Sequence, residues 1–268
     1  MWRTLDLSCQ EQLLPGDSLE EKFDSAQRWG FSAIELRGRG EGQFAARLPE
    51  LRRAAANGVP MPTVCVDMLH FVGDFDADRR ADAVEQMRQQ LTVIAEVGGR
   101  LAMTPASYGM FSLRLPPFVP SRTAEEDWEV LVDAFGLLAE HAESVGVAIA
   151  LEPLNRYEEH MVNTLGRAAD LVRDVASAAF GIAADTYHMN IEEADPPATI
   201  LAVADALLHV QVSDSNRLEP GAGHIDWGAI LATLDAIGFD HALAYECRLS
   251  GPAENALPQS TAFLRRMA

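Results

Sequence analysis

The sequence predicts an α/β protein closed into a (β/α)8 TIM barrel, and three observations carry that prediction. Apolar, strand-like runs recur eight times, at 3–8, 32–36, 62–66, 100–104, 146–151, 180–184, 207–212 and 241–246. Segments with helical periodicity lie between them, which is the pattern of parallel βαβ units. No Gly-x-Gly-x-x-Gly element follows the first run, so a barrel is favoured over an open doubly wound sheet. The 268 residues match the roughly 250 of one such barrel. A single domain over 1–268 is expected, with no linker or internal repeat.

The helices follow from their caps and faces. SLEEKFDSAQRWG opens on Ser18 and stops at Gly30. The stretch at 76–99 places Ala83, Met87, Leu91 and Ile94 on one face and ends at Gly98–Gly99. The stretch at 123–146 opens on Thr123, carries acids in its first turn and stops at Gly146. Further helices fit 164–177, 196–206, 227–237 and 255–267. The long non-helical excursions, 67–75 and 105–121, follow strands on the side where a barrel keeps its active site.

Composition narrows the partners. There are 21 Lys plus Arg against 40 Asp plus Glu, a net charge of −19. Such a field repels a phosphate backbone, so nucleic acid is excluded as a partner. No apolar run reaches the ~20 residues of a membrane span, and no signal-peptide core opens the chain. A cytoplasmic protein is therefore expected. Cys9, Cys65 and Cys247 have no metal-type spacing and are expected to be buried, reduced thiols.

Four polar residues end the last four strands: Glu152 in AIALEPLN, Asp185 in FGIAADTYHMN, Gln211 in LLHVQVSDSNR and Glu246 in ALAYECR. In a parallel barrel all C-terminal strand ends open onto one mouth, so these four converge. Taken singly, each acid could cap the next helix or pair with an arginine. Three carboxylates at one rim repel one another, and a divalent cation is the natural counter-charge. His209 faces the same side as Gln211, one layer deeper, and is expected to be packed and hydrogen-bonded. Arg217 could recognise vicinal oxygens, or neutralise Asp214 or Glu219. Glu35, Asp67 and His70 are weaker candidates for the mouth, with helix capping or surface pairing equally open. Tyr108, Met110 and Phe111 could form an apolar lid or simply pack.

EPLNRYE (152–158), DTYHMNIEE (185–193), HVQVSDSNR (209–217), PGAGHIDW (220–227) and YE (245–246) resemble the D-tagatose/D-allulose (psicose) 3-epimerase family. That family is part of the xylose-isomerase-like barrel group of sugar phosphate isomerases and epimerases. The motifs lie within 150–250; the N-terminal half resembles the group only in rhythm. The resemblance implies one divalent cation, Mn2+ foremost with Mg2+ or Co2+ as alternatives, held by Glu152, Asp185, Gln211 and Glu246. It implies that Glu152 and Glu246 are the acid/base pair acting on opposite faces of a ketose through a cis-enediolate. It further implies sugar contacts from Glu158, His188 and Arg217, with His188 in the loop after Asp185, and a homodimer or homotetramer.

One ligand departs from the pattern. Epimerases of this family usually place His where this chain has Gln211, whereas the similar hydroxypyruvate isomerases place Gln. An all-oxygen set shifts preference from Zn2+ towards Mn2+ or Mg2+. Two alternatives to a ketose epimerase therefore stay open: a hydroxypyruvate-isomerase-type aldose–ketose isomerase, and a metal-dependent lyase that β-eliminates from a 3-keto-glycoside. DNA-repair endonucleases share the barrel group, but the −19 charge opposes that class.

Overall fold

A computed structural model describes residues 5–110 and 119–268 of the chain. Eight parallel strands close on themselves in chain order. They are β1 (Leu7–Gln10), β2 (Ala33–Arg39), β3 (Thr63–Asp67), β4 (Leu101–Thr104), β5 (Ala148–Leu151), β6 (Phe180–Asp185), β7 (Leu207–Val212) and β8 (Leu243–Tyr245). Closure is made by β1 pairing with both neighbours, Ser8 opposite Ala33 of β2 and opposite Ala244 of β8.

The helices are α1 (Leu19–Arg28), α2 (Gln43–Ala46), α3 (Leu48–Ala56), α4 (Ala77–Glu96), α5 (Ala124–Val145), α6 (Leu165–Val175), α7 (Thr186–Glu192), α8 (Pro196–Ala202), α9 (Trp227–Ala236) and α10 (Ala253–Met267). Ser18 and Thr123 both form reciprocal capping boxes, with Glu21 and Glu126. Such pairs satisfy backbone N–H groups that have no partner inside the helix. Gly146 ends α5 in the left-handed region at φ 75°, where a residue without a Cβ is at ease.

The structure departs from the sequence expectation in three places. The first strand begins at Leu7, four residues later than expected, and residues 1–4 lie outside the described part. Two helices, α2 and α3, cover the segment between β2 and β3 where no particular helix was assigned. His188 lies on α7, because Asp185 caps that short helix through the N–H groups of Tyr187 and His188. Among the described residues, no helix is long and apolar enough to cross a membrane.

Strand alternation divides the interior into two apolar regions. Outward side chains such as Ile34, Leu36, Val64, Ile149, Ile182 and Val210 pack against the helices in one continuous core. Inward side chains of the middle strands, Leu101, Met103, Ala150 and Ala183, plug the barrel axis. The inward set is polar towards the C-terminal end, where the strands open onto the mouth. In the outer layer Phe135 of α5 stacks on Phe180 of β6 at 4.6 Å and is fully buried. Phe135→Ala is expected to cost about 3–5 kcal/mol of stability; chemical denaturation that finds under 1 kcal/mol would show this layer to be loosely packed.

Candidate active site

The inward alternation puts the four strand-end residues of the last four strands on one rim. Asp185 and Gln211 are register partners on β6 and β7. Glu152 directly follows β5, and Glu246 directly follows β8. Carboxylate oxygens of Glu152 and Asp185 and a ring nitrogen of His188 lie within 4.8 Å of one another.

Asp185 is engaged on both oxygens. Oδ1 caps α7, accepting from Tyr187 N at 2.7 Å, and Oδ2 accepts from Arg217 Nη1 at 2.6 Å. It is thus at once a helix cap, an arginine partner and a member of the acidic cluster. Arg217 also reaches Ser213 Oγ at 3.1 Å, places Nη2 3.1 Å from Glu246 Oε2, and stacks over the Tyr187 ring at 5.0 Å. It does not neutralise Asp214 or Glu219. Asp214 is filled by Trp227 Nε1 and the N–H groups of Ser215, Gly221 and Ile225, and Glu219 by Ser250. A Cβ on Gly223 would collide with Asp214 Oδ1, so a side chain there would push Asp214 out of its hydrogen bonds.

The electrostatics set the acids apart. Burial raises Glu152 well above the usual carboxylate range, and the charges of Glu246 and Asp185 push it further against Arg217. Burial likewise lifts Glu246, to about 7, although Arg217 opposes it. Burial acts on Asp185 too, but the Arg217 and His188 charges and its hydrogen bonds outweigh it and hold Asp185 low. Two carboxylates thus share a site where full ionisation of both is costly.

Glu152 Oε1 and Gln211 Oε1 are buried and accept no hydrogen bond, and Glu246 Oε2 is met by the Arg217 ion pair outside hydrogen-bond geometry. His188 Nε2 stands 3.6 Å from Glu152 Oε1, beyond hydrogen-bond range. Unsatisfied buried acceptors are rare and call for a partner. These three oxygens beside Asp185 fit a hard divalent cation, which takes oxygen ligands.

His188 has an assignable proton. Its Nδ1 accepts from Asn155 N at 3.0 Å, and Asn155 Nδ2 lies 2.9 Å from the same nitrogen. Burial lowers its pKa, with the Arg217 charge adding to this against Asp185. The neutral ring must then carry its proton on Nε2. His188 therefore presents a donor towards Glu152, and its Nε2 is not a free ligand nitrogen. Asn155 Nδ2 also donates to Glu158 Oε1 at 3.0 Å, so Asn155 ties Glu158 and His188 together.

The weaker candidates fall elsewhere. Asp67 pairs with Arg37 at 2.8 Å, and His70 with Asp82 at 2.6 Å, as partly exposed surface pairs. Tyr108 is 56% exposed and meets Phe71 at 6.2 Å; Met110 is half-buried, and Phe111 lies outside the described residues. Cys9 is buried, while Cys65 and Cys247 are partly exposed, and all three are free thiols. Glu35 is neither a cap nor a surface partner. It is fully buried beneath the rim, with His209 as a hydrogen-bonded neighbour. Its neighbours Ile34 and Leu36 face the helices, so the strand period itself aims Glu35 inward.

The sequence model of the xylose isomerase-like TIM barrel family matches residues 23–267. The chain belongs to that family. The resemblance carried by the motifs at 150–250 thus extends over almost the whole chain. The 3-dehydro-D-guloside 4-epimerase of Escherichia coli K12 is 33% identical over 264 residues, 97% of this chain and 99% of that protein. The L-ribulose 3-epimerase of Mesorhizobium japonicum is 30% identical over 231 residues, 84% of this chain and 72% of that protein. The crystal structure of an E. coli 3-keto-D-glucoside 4-epimerase, in its apo form, superposes with a TM-score of 0.92 at 32% identity, covering 98% of this chain and 100% of that one. These family members carry the names of epimerases, enzymes of the isomerase class.

A buried clamp supports the mouth of this barrel and was missed in the sequence. Arg122 donates to Asp127 Oδ1 at 2.7 Å and to the carbonyls of Gly73 and Asp74. His160 lies 3.0 Å from Asp127 Oδ2. The clamp joins the loops after β3 and β5 to the start of α5: Arg122 and Asp127 are near neighbours in sequence, but His160 and the Gly73 and Asp74 carbonyls are not. Asp127→Asn would leave the Arg122 charge uncompensated, a change of about 3 kcal/mol or roughly 6–12 °C in Tm. A melting temperature equal to wild type would remove the clamp from the stability account.

Proposed function

We propose that the protein is a divalent-metal-dependent epimerase that inverts the carbon next to a ketone in a sugar. The observation that carries this reading is the convergence of Glu152 and Glu246, each with a buried oxygen outside any hydrogen bond and a raised pKa, beside Asp185 and Arg217. Glu152, Asp185, Gln211 and Glu246 would hold the cation, and an all-oxygen set suits Mn2+ before Zn2+. When bound, the ion supplies Lewis-acid stabilisation of the oxygen that gains charge as the C–H bond breaks.

The side chains supply the rest. Inversion needs a base on one face of the carbon and an acid on the other. Glu152 and Glu246 enter from β5 and β8, three strands apart around the ring. One takes the proton, leaving the electron pair in the enediolate, and the other returns a proton to the opposite face. A turnover starts with the base ionised and the acid protonated and leaves them exchanged. His188 donates Nε2–H to a sugar oxygen, and the Arg217 fork suits vicinal oxygens. Glu158, held by Asn155, accepts from a sugar hydroxyl. A cytoplasmic homodimer or homotetramer is the expected setting, by likeness to sugar epimerases.

A 3-keto-glycoside is the favoured substrate, because the E. coli relative aligns over nearly the full length of both chains. A 4-epimerase acting beside a C3 ketone and a ribulose 3-epimerase acting beside a C2 ketone perform the same step, one carbon apart. The test is incubation with Mn2+ in D2O of a 3-keto-D-glucoside, D-fructose, D-tagatose and D-allulose. Deuterium at the carbon beside the ketone, together with a new epimer, is expected. No exchange into any of them would overturn the reading, and loss of the aglycone would instead indicate a lyase.

A further inference from the structure

We propose that Glu35 is a positioning residue that turns the Gln211 amide so that its carbonyl oxygen, not its NH2, faces the ion site; this rests on the metal-dependent reading above. Glu35 lies at the floor of the site, fully buried. It accepts from Gln10 Nε2 at 3.1 Å, Thr63 Oγ1 at 2.7 Å, His209 Nε2 at 2.7 Å and Gln211 Nε2 at 2.9 Å. Each of its oxygens takes two donors, Oε1 from Gln10 and Gln211 and Oε2 from Thr63 and His209, which is the pattern of a carboxylate.

An ionised carboxylate only accepts hydrogen bonds. Gln211 must therefore show Glu35 its NH2, and its Oε1 is left facing away, buried and without a hydrogen-bond partner. A primary amide has no such preference of its own. Its terminal torsion is broad and roughly two-fold, and the flipped amide offers N–H groups, which cannot ligate a cation. The acceptor beneath Gln211 selects the ligating orientation before any ion arrives. Thr63 and Gln10 hold that acceptor from β3 and β1, so the orientation is fixed by three strands besides β7. The same chemistry explains why an amide at this position depends on a buried carboxylate directly below it.

The test is a double-mutant cycle read by Mn2+ binding in the absence of substrate, by calorimetry or by the electron paramagnetic resonance signal of free Mn2+. Glu35→Gln should weaken Mn2+ binding by about 10- to 100-fold, as for other residues that orient ligands, and Gln211→Ala by a similar factor. The double variant should bind no more weakly than Gln211→Ala alone, because Glu35 acts through Gln211. Losses that multiply in the double variant would assign Glu35 a general structural role and overturn the proposal, as would wild-type affinity in Glu35→Gln. Should Glu35→Gln fail to fold, Glu35→Asp keeps the buried charge while drawing it back from Gln211, and the same pattern is expected. A wild-type protein that binds no Mn2+ would overturn the metal reading and this proposal with it. That result is distinct from the failure of Glu35 alone.

Discussion

Glu152→Gln and Glu246→Gln are each expected to abolish epimerisation while sparing one half of the proton exchange. Each carboxamide keeps an oxygen in place but cannot move a proton, and acid–base groups of this kind contribute about 10²–10⁴ in rate. The carboxylate that remains still removes the proton that faces it and returns it to the same face. At saturating Mn2+ one variant should therefore exchange deuterium into one epimer only, and the other variant into the opposite epimer. The measurement is nuclear magnetic resonance of both epimers in D2O. Epimerisation within tenfold of wild type in either variant would remove that residue from the acid–base pair.

Divalent metal is expected to stabilise the fold far more at pH 8 than at pH 5. Glu246 rises from 4.5 to about 7 on folding, and Glu152 is raised as well. A carboxyl raised on folding binds more protons in the folded state than in the unfolded one. The metal-free protein is thus favoured below the unfolded value and loses that stability as pH rises through the folded one. The cation takes the ionised form, so protons compete with it and its affinity grows over the same window. With Mn2+ at about 1,000 times its Kd at pH 8, the gain is ~4 kcal/mol, or roughly 8–16 °C in Tm. At pH 5 the shift should be a small fraction of this. An equal shift at both pH values would show that the raised carboxylates are not the ion's ligands.

The barrel and its rim were legible because both depend on short-range regularity. Strand runs repeat with a fixed rhythm, and the residue ending each run of the last four lands on one rim whatever the loops do. What lay between was less legible. The first strand starts where β8 offers Leu243 as a partner to Leu7, a condition set 236 residues away. Helix α7 is one short element whose cap, Asp185, was assigned to the ion site, and a single residue doing both jobs leaves no separate helix signal. Glu35 carried its signal in the alternation of Ile34 and Leu36, but its partners His209 and Gln211 are more than 170 residues away. In the clamp, Arg122 and Asp127 are only five residues apart, but what makes the pair matter, His160 and the carbonyls of Gly73 and Asp74, comes from other loops.

Arg217 adopts φ 62°, a left-handed backbone position that a non-glycine residue holds at a cost. Its N–H bonds Asp214 O and its carbonyl accepts from Arg248 N, so the turn is held from both sides. Gly or Asn at 217 would relieve that backbone by about 1 kcal/mol, but either would strip the guanidinium from buried Asp185, and a buried charge left without its partner costs about 3 kcal/mol. A variant library screened for heat resistance alone should therefore keep Arg at 217. The awkward turn is held in place by the acids it serves, so endurance and reactivity are tied to the same side chain.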